Sequence, residues 1–146
     1  GRDLYERHPE VRALFEEASE TTAMNMTDLC FNGPDEVLKR TENAQPAVAL
    51  VNAACLCVLK QQGITPHALA GHSLGEYTAL YAARAMAFGP MMDLVRKRAL
   101  FMQEAGGGAF EESRGAYGYP PQGERCVAQQ VHGRSRWEDE SSPRSR

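Results

Sequence analysis

Leu-Ala-Gly-His-Ser-Leu-Gly-Glu-Tyr occupies residues 69–77 and contains the pattern Gly-x-Ser-x-Gly between Gly71 and Gly75. This pattern is typical of a nucleophile elbow, in which a serine, here Ser73, lies on a tight turn between a strand and a helix. The backbone is crowded on both sides of such a serine, so we expect a Cβ at either glycine to collide with its neighbours. The stretch therefore predicts an exposed serine hydroxyl.

The segments on either side of the elbow match this prediction. Residues 66–70 form a short apolar run that predicts a buried strand, and residues 74–85 consist almost entirely of helix-forming residue types. The pattern alone recurs by chance in unrelated chains. The order of strand, Gly-x-Ser-x-Gly and helix favours a catalytic serine over a serine that merely forms a turn.

The geometry of an elbow also indicates the chemistry of Ser73. At the start of a helix, unpaired backbone N–H groups face the reacting carbonyl, and the N–H of Leu74 is the natural oxyanion donor. A serine hydroxyl needs a base, normally histidine, to act as a nucleophile at neutral pH. We expect His72 to point to the other side of the turn, where local hydrogen bonds hold it, so it is not assigned as that base.

Charge and cysteine content narrow the class of protein. The chain has 146 residues and a net charge of −3, which argues against nucleic acid or an anionic membrane as its main partner. No run approaches the length of about 18 apolar residues that a spanning helix needs.

Cys30, Cys55, Cys57 and Cys126 form neither a CxxC pair nor a metal-like cluster. We therefore expect no metal, no disulfide framework and a reducing, cytoplasmic compartment.

Upstream of the elbow the sequence predicts mainly helices. Spacing of apolar residues predicts a helix over 1–20. Residues 26–31 are predicted to form a short helical turn that Gly33 and Pro34 close, and residues 35–40 another short helix. Residues 41–45 are predicted to be a loop. Residues 46–59 are apolar on nearly every side, which predicts a helix buried all round.

Downstream of the elbow, residues 90–105 predict a helix in which one residue conflicts with its surroundings. Arg98 lies within the apolar stripe, whereas Arg96 and Lys97 project elsewhere as solvated charges; the stripe consists of Met91, Leu94, Val95, Phe101 and Met102. A guanidinium that faces the core needs an anion, because it cannot lose its proton. From the residues alone, a structural salt bridge to Asp or Glu is favoured over a ligand carboxylate.

Four motifs in order resemble the malonyl-CoA:acyl carrier protein transacylases and the related acyltransferase domains of polyketide synthases. They are residues 1–5, 40–47 and 70–77, and Arg98 followed by residues 102–105. The resemblance covers residues 1–105. It implies an α/β fold: a fragment of an α/β-hydrolase-like acyltransferase core, with a parallel sheet and flanking helices, and with the ferredoxin-like subdomain missing.

The resemblance also implies roles for individual residues. Ser73 would accept a malonyl group from malonyl-CoA and pass it to the phosphopantetheine thiol of an acyl carrier protein, with no bound cofactor. Leu74 would donate its N–H to the oxyanion, Gln45 would lie near the acyl site, and Gly71, His72 and Gly75 would support the elbow. Arg98 would bind the free carboxylate of malonate, which reverses the preference for a salt bridge.

Two elements of this family do not occur in the sequence. The turn that supplies the second oxyanion donor would precede Gly1, and the catalytic histidine would follow residue 146. Residues 106–146 lack Leu, Ile, Met and Lys and contain many Arg, Gly and Ser, so we expect a disordered or out-of-frame tail, and His132 within it is rejected as the base. Residues 1–105 are then a partial acyltransferase core.

Two other functions stay open on the sequence. A serine esterase or thioesterase would use the same elbow. A truncated fragment would retain the serine without doing chemistry, because removal of the base of a triad costs several orders of magnitude in rate. The sequence leaves open malonyl against methylmalonyl, and fatty acid against polyketide synthesis.

Overall fold

The computed structural model describes the backbone of residues 1–116, with side chains to residue 106, and within that range it contains helices and no strand. The seven helices are α1 (Arg2–Arg7), α2 (Pro9–Thr22), α3 (Met26–Phe31), α4 (Asp35–Leu38), α5 (Thr41–Gln61), α6 (Gly75–Ala82) and α7 (Phe88–Ala116). The predictions that fall on residues 117–146, among them Cys126 and His132, lie outside the described residues.

The core lies where α2, α5 and α7 meet. Each of these helices buries apolar side chains at a spacing of three or four residues, which places them on one face. The fully buried members include Val11, Phe15 and Ala18 of α2, Ala49, Leu50, Ala53 and Ala54 of α5, and Met91, Met92, Val95 and Ala99 of α7. This three-helix contact fixes the relative positions of α5 and α7, on which the site depends.

The amino-terminal region follows the predicted order of elements with one break. The helix predicted over residues 1–20 is interrupted at His8, whose backbone is extended (φ −120°, ψ 110°). A residue that precedes proline is restricted to such conformations, and Pro9 then starts α2. The predicted short helices over 26–31 and 35–40 correspond to α3 and α4.

The loop predicted over residues 41–45 is wrong, because α5 begins at Thr41 and includes Pro46. Pro46 has no N–H, so the carbonyl of Glu42 lacks its usual helical donor. Arg96 of α7 replaces that donor, with its Nη1 3.0 Å from the Glu42 oxygen. Arg96 is therefore not a solvated charge as predicted; it links α5 to α7 beside the site.

Helix α5 is not buried all round, contrary to the prediction. Val48, Cys55 and Leu59 are exposed, because the described residues cover only one side of the helix. By length and composition alone α5 is the one described helix that could span a membrane. Core helices of water-soluble proteins pass the same test, and the buried face of α5 belongs to the core.

The strand predicted over residues 66–70 is not confirmed by this structure. These residues have no regular secondary structure and are exposed, with Leu69 41% accessible. A strand needs a neighbouring strand to pair its backbone groups, and residues 1–116 provide none. The expected parallel sheet is therefore not observed in the described part of the chain.

After the elbow, two helices follow as predicted but with different ends. Helix α6 ends at Ala82, earlier than expected, at a turn in which Arg84 has a φ of 60°. Helix α7 continues past the predicted end at Ala105 and through Gly106 to Ala116.

Candidate active site

The segment around Ser73 forms a tight turn that leads into α6. Ser73 has a φ of 55°, a left-handed conformation that costs energy for any residue other than glycine. The turn is closed by the Gly75 N–H, which donates to the His72 oxygen at 2.9 Å, and by the Glu76 N–H, which donates to the Ser73 oxygen at 3.3 Å. Ser73 is exposed. The turn and the strained serine match a nucleophile elbow, although the strand before it is absent from the described residues.

The two glycines of the elbow differ in the space that is available for a Cβ atom. A Cβ added at Gly71 would lie 2.3 Å from the backbone nitrogen of Glu76 and 2.3 Å from the carbonyl carbon of Gly75. A Cβ added at Gly75 would meet no atom of the described residues within 4 Å. The expected collision is confirmed at Gly71 and is wrong at Gly75.

Leu74 occupies the position before the first residue of α6, where backbone N–H groups lack helical partners. Within residues 1–116 no hydrogen bond uses the Leu74 N–H, so it is available to an oxyanion. His72 is exposed, and the described residues give its ring no hydrogen-bond partner, so the expected local hydrogen bonds are wrong. No histidine of the described range hydrogen-bonds to the Ser73 hydroxyl.

Arg98 of α7 connects the elbow to α5. Its Nη2 donates to the Ser73 Oγ at 2.8 Å, and its Nη1 donates to the Gln45 Oε1. Its guanidinium also lies over the Tyr77 ring, 5.9 Å from the centroid. No ion pair of the described residues includes Arg98, so the structural salt bridge favoured on sequence alone is wrong. The structure thus brings together Ser73, Gln45 and Arg98, which come from three separate parts of the sequence.

Gln45 is 8% exposed and uses both ends of its side-chain amide. Its Oε1 accepts from Arg98, and its Nε2 donates to the Met102 Sδ at 3.4 Å. Sequence reasoning did not assign Met102 or Tyr77 to the site. Met102 lies four residues after Arg98 on α7, so helical spacing could have indicated its proximity.

An open groove of about 490 Å³ borders Arg98 and is mostly apolar. Leu94, Phe101 and Met102, predicted to face the core, line it instead, with exposures of 42%, 68% and 46%. The predicted stripe splits because Met91 and Val95 face α2 and α5 while these three side chains face the elbow side of α7. The other lining residues are Tyr77, Lys97, Arg98 and Ala105.

This arrangement can bind an acyl group that carries a carboxylate. Ser73 offers a hydroxyl, the Leu74 N–H offers an oxyanion donor, and Arg98 offers a planar guanidinium that suits bidentate binding of a carboxylate. In the described range no group of three His, Cys, Asp or Glu side chains could hold a metal ion.

Known proteins of similar sequence and structure identify the family of this chain. The sequence model of the acyl transferase domain matches residues 1–118. A malonyl CoA-acyl carrier protein transacylase of Bacillus subtilis is 49% identical over 105 residues, which are 72% of this chain and 33% of that protein. The crystal structure of a malonyl CoA-acyl carrier protein transacylase from Clostridium perfringens is similar with a TM-score of 0.68 and 40% identity, over 72% of this chain and 33% of that one.

A third similar protein is solved as a complex. It is a malonyl-transacylase bound to its type II polyketide synthase acyl-carrier protein, with a TM-score of 0.67 and 38% identity, over 71% of this chain and 34% of that one. The chain thus spans about a third of the length of these relatives. Because the family model matches 118 of its 146 residues, the chain belongs to the acyl transferase domain family.

Proposed function

We propose that this chain supplies the nucleophile and the carboxylate-binding residue for transfer of a malonyl group from coenzyme A to the phosphopantetheine thiol of an acyl carrier protein. The observation that carries the proposal is the bond from Arg98 Nη2 to Ser73 Oγ, which places a permanent cation beside the candidate nucleophile. The names of the relatives support the same substrate and the same partner.

The reaction has two steps. In the first, Ser73 Oγ attacks the thioester carbonyl of malonyl-CoA, the C–S bond breaks, and coenzyme A leaves as a thiol while the malonyl group becomes a serine ester. In the second, the carrier protein thiol attacks that ester, the C–O bond breaks, and Ser73 regains its proton. The order predicts ping-pong kinetics. The group that accepts and returns the serine proton is not among the hydrogen-bond partners of Ser73 in the described residues.

Two groups of the site stabilise negative charges of the substrate during these steps. The Leu74 N–H stabilises the negative charge that develops on the carbonyl oxygen. Arg98 binds the free carboxylate of the malonyl group, which requires its Nη2 to exchange Ser73 for the ligand. The apolar groove beside Arg98 accommodates the rest of the thioester.

The proposal extends to the parts of the fold that the described residues do not test. In a complete acyltransferase domain, residues 66–70 would join a parallel sheet and a separate ferredoxin-like subdomain would complete the site. Residues 1–105 would form the acyltransferase part, and residues 106–146 a tail. The free thiols of Cys30, Cys55 and Cys57 support a reducing, cytoplasmic location.

Residues 1–105 can be tested in a chimera in which they replace the matching segment of the Bacillus subtilis relative. The unmodified chimera should transfer malonyl groups to acyl carrier protein, and Ser73→Ala should abolish the transfer. Arg98→Ala should lower kcat/KM for malonyl-CoA by roughly 100-fold or more, because it removes the cation of a charged pair. It should not lower the much weaker reaction with acetyl-CoA.

Lys39→Ala is the control, since Lys39 is an exposed cation that pairs with Asp35 and Glu36 and does not line the groove. It should leave kcat/KM for malonyl-CoA within about threefold, as expected for an exposed ion pair. An equal loss for malonyl-CoA and acetyl-CoA in Arg98→Ala would contradict the proposal. Efficient hydrolysis of neutral esters, unaffected by Arg98→Ala, would favour an esterase instead.

A further inference from the structure

The buried amide of Gln45 is held from both ends by groups of opposite hydrogen-bonding character. Arg98 can only donate, and it faces Oε1; the Met102 thioether can only accept, and it faces Nε2 at 3.4 Å. Turning the amide over would place its NH2 group against the guanidinium and its oxygen against the sulfur. Two donors would then face each other at Arg98, and two acceptors would face each other at Met102. The two neighbours together therefore determine the orientation of the amide.

The orientation of Gln45 in turn affects Arg98. With Oε1 facing it, Arg98 Nη1 has a fixed acceptor, and Nη2 is left to point at Ser73, 2.8 Å away. The contacts therefore form one chain that runs from Met102 through Gln45 and Arg98 to Ser73. Each member comes from α5, α7 or the elbow, which the core and the bond from Arg96 to Glu42 hold together.

We propose that Met102 is a positioning residue that orients the Arg98 guanidinium through Gln45, and so tunes the affinity of the site for a carboxylate-bearing acyl group. This inference rests on the proposed function of Arg98. It assigns a role to the sulfur atom itself rather than to the bulk of the side chain. Met102 is 46% exposed in the groove, so its substitution should not disturb the core.

Three variants of the full chain distinguish the effect of the Met102 sulfur as a hydrogen-bond acceptor from the effect of the side chain's volume. Met102→Leu keeps an apolar side chain of similar size but removes the acceptor. Met102→Gln replaces the thioether with an amide oxygen that can accept from Gln45. Met24→Leu is the matched control, because Met24 is also a partly buried methionine but packs against the core away from this chain of contacts.

The first readout needs no ligand. In the chain labelled with 15N and with 13C at the methionine methyl groups, we expect a nuclear Overhauser contact between the Gln45 side-chain NH2 and the Met102 methyl group. In Met102→Leu the two Gln45 NH2 protons should exchange with solvent faster. Absence of the contact, or Gln45 exchange that is unchanged in Met102→Leu, overturns the proposal whatever the ligand data show.

The second readout is the Kd for monomethyl malonate, a half-ester with one carboxylate. Met102→Leu should weaken binding about threefold to tenfold, the effect of one neutral hydrogen bond. Met102→Gln should bind within about twofold of the unmodified chain, and so should Met24→Leu. Unchanged binding in Met102→Leu, combined with lost binding in Arg98→Ala, overturns the role of Met102 and leaves the function of Arg98 intact. If Arg98→Ala also binds normally, the proposed function itself fails.

Discussion

Gly71 and Gly75 provide a matched pair of substitutions within the elbow. Gly71→Ala forces a Cβ to within 2.3 Å of backbone atoms, whereas the Cβ of Gly75→Ala would contact no atom of the part of the chain that the structure describes. We expect Gly71→Ala to open the turn, so that hydrogen exchange at the Glu76 amide, which donates to Ser73, becomes roughly tenfold faster or more. Gly75→Ala should leave that rate within about twofold. Equal effects of the two substitutions would contradict this description of the elbow.

The sequence predicts Ser73, Gln45 and Arg98 as site residues, and in the structure hydrogen bonds join these three side chains. The residues alone indicated a reactive serine and a cation on an apolar stripe, but not that the two touch, because their contact depends on how α7 packs. The sequence predicts Met102 as a member of the apolar stripe that faces the core, whereas in the structure it contacts Gln45. A thioether on a helix face carries no sign in the sequence that it accepts a hydrogen bond.

Helix α5 continues through Pro46 but lacks one backbone hydrogen bond there, and this gap can be tested by mutation. Arg96→Ala should cost about 1 kcal/mol of unfolding free energy, since it leaves the Glu42 carbonyl without a donor. In a Pro46→Ala background the helix regains its own N–H at residue 46, so the same substitution should cost measurably less. Urea denaturation of the four proteins in this double-mutant cycle measures the difference. A cost of Arg96→Ala that is identical in both backgrounds would show that Arg96 does not replace the missing donor.

Helices were predicted more successfully than the strand for a physical reason. A helix satisfies its backbone hydrogen bonds within its own residues, so α2 and α7 could be predicted from local spacing. A strand depends on partners elsewhere in the chain, and residues 66–70 have none in the described range. The predicted start of α5 at Pro46 is wrong, because Arg96, which is distant in sequence, replaces the donor that proline lacks and the helix begins five residues earlier.

The molecule as a whole depends on the contact of α2, α5 and α7, and Leu50 lies fully buried there. Leu50→Ala should lower the free energy of unfolding by about 2–5 kcal/mol, because it removes buried apolar atoms and leaves a cavity. Leu59→Ala is the control, since Leu59 is on the exposed face of the same helix. Its effect should stay below about 1 kcal/mol. Similar losses in the two variants, measured by urea denaturation, would show that the core is elsewhere.

If Arg98 binds the free carboxylate of the acyl group, it should make the Ser73 site specific for acyl groups that carry one. The most direct test is the Kd of the full chain for monomethyl malonate, compared with neutral dimethyl malonate and with the Arg98→Ala variant. We predict that the unmodified chain prefers the half-ester, and that Arg98→Ala weakens its binding roughly tenfold or more while binding of the diester is unchanged. Half-ester binding that is the same with and without Arg98 would contradict the claim.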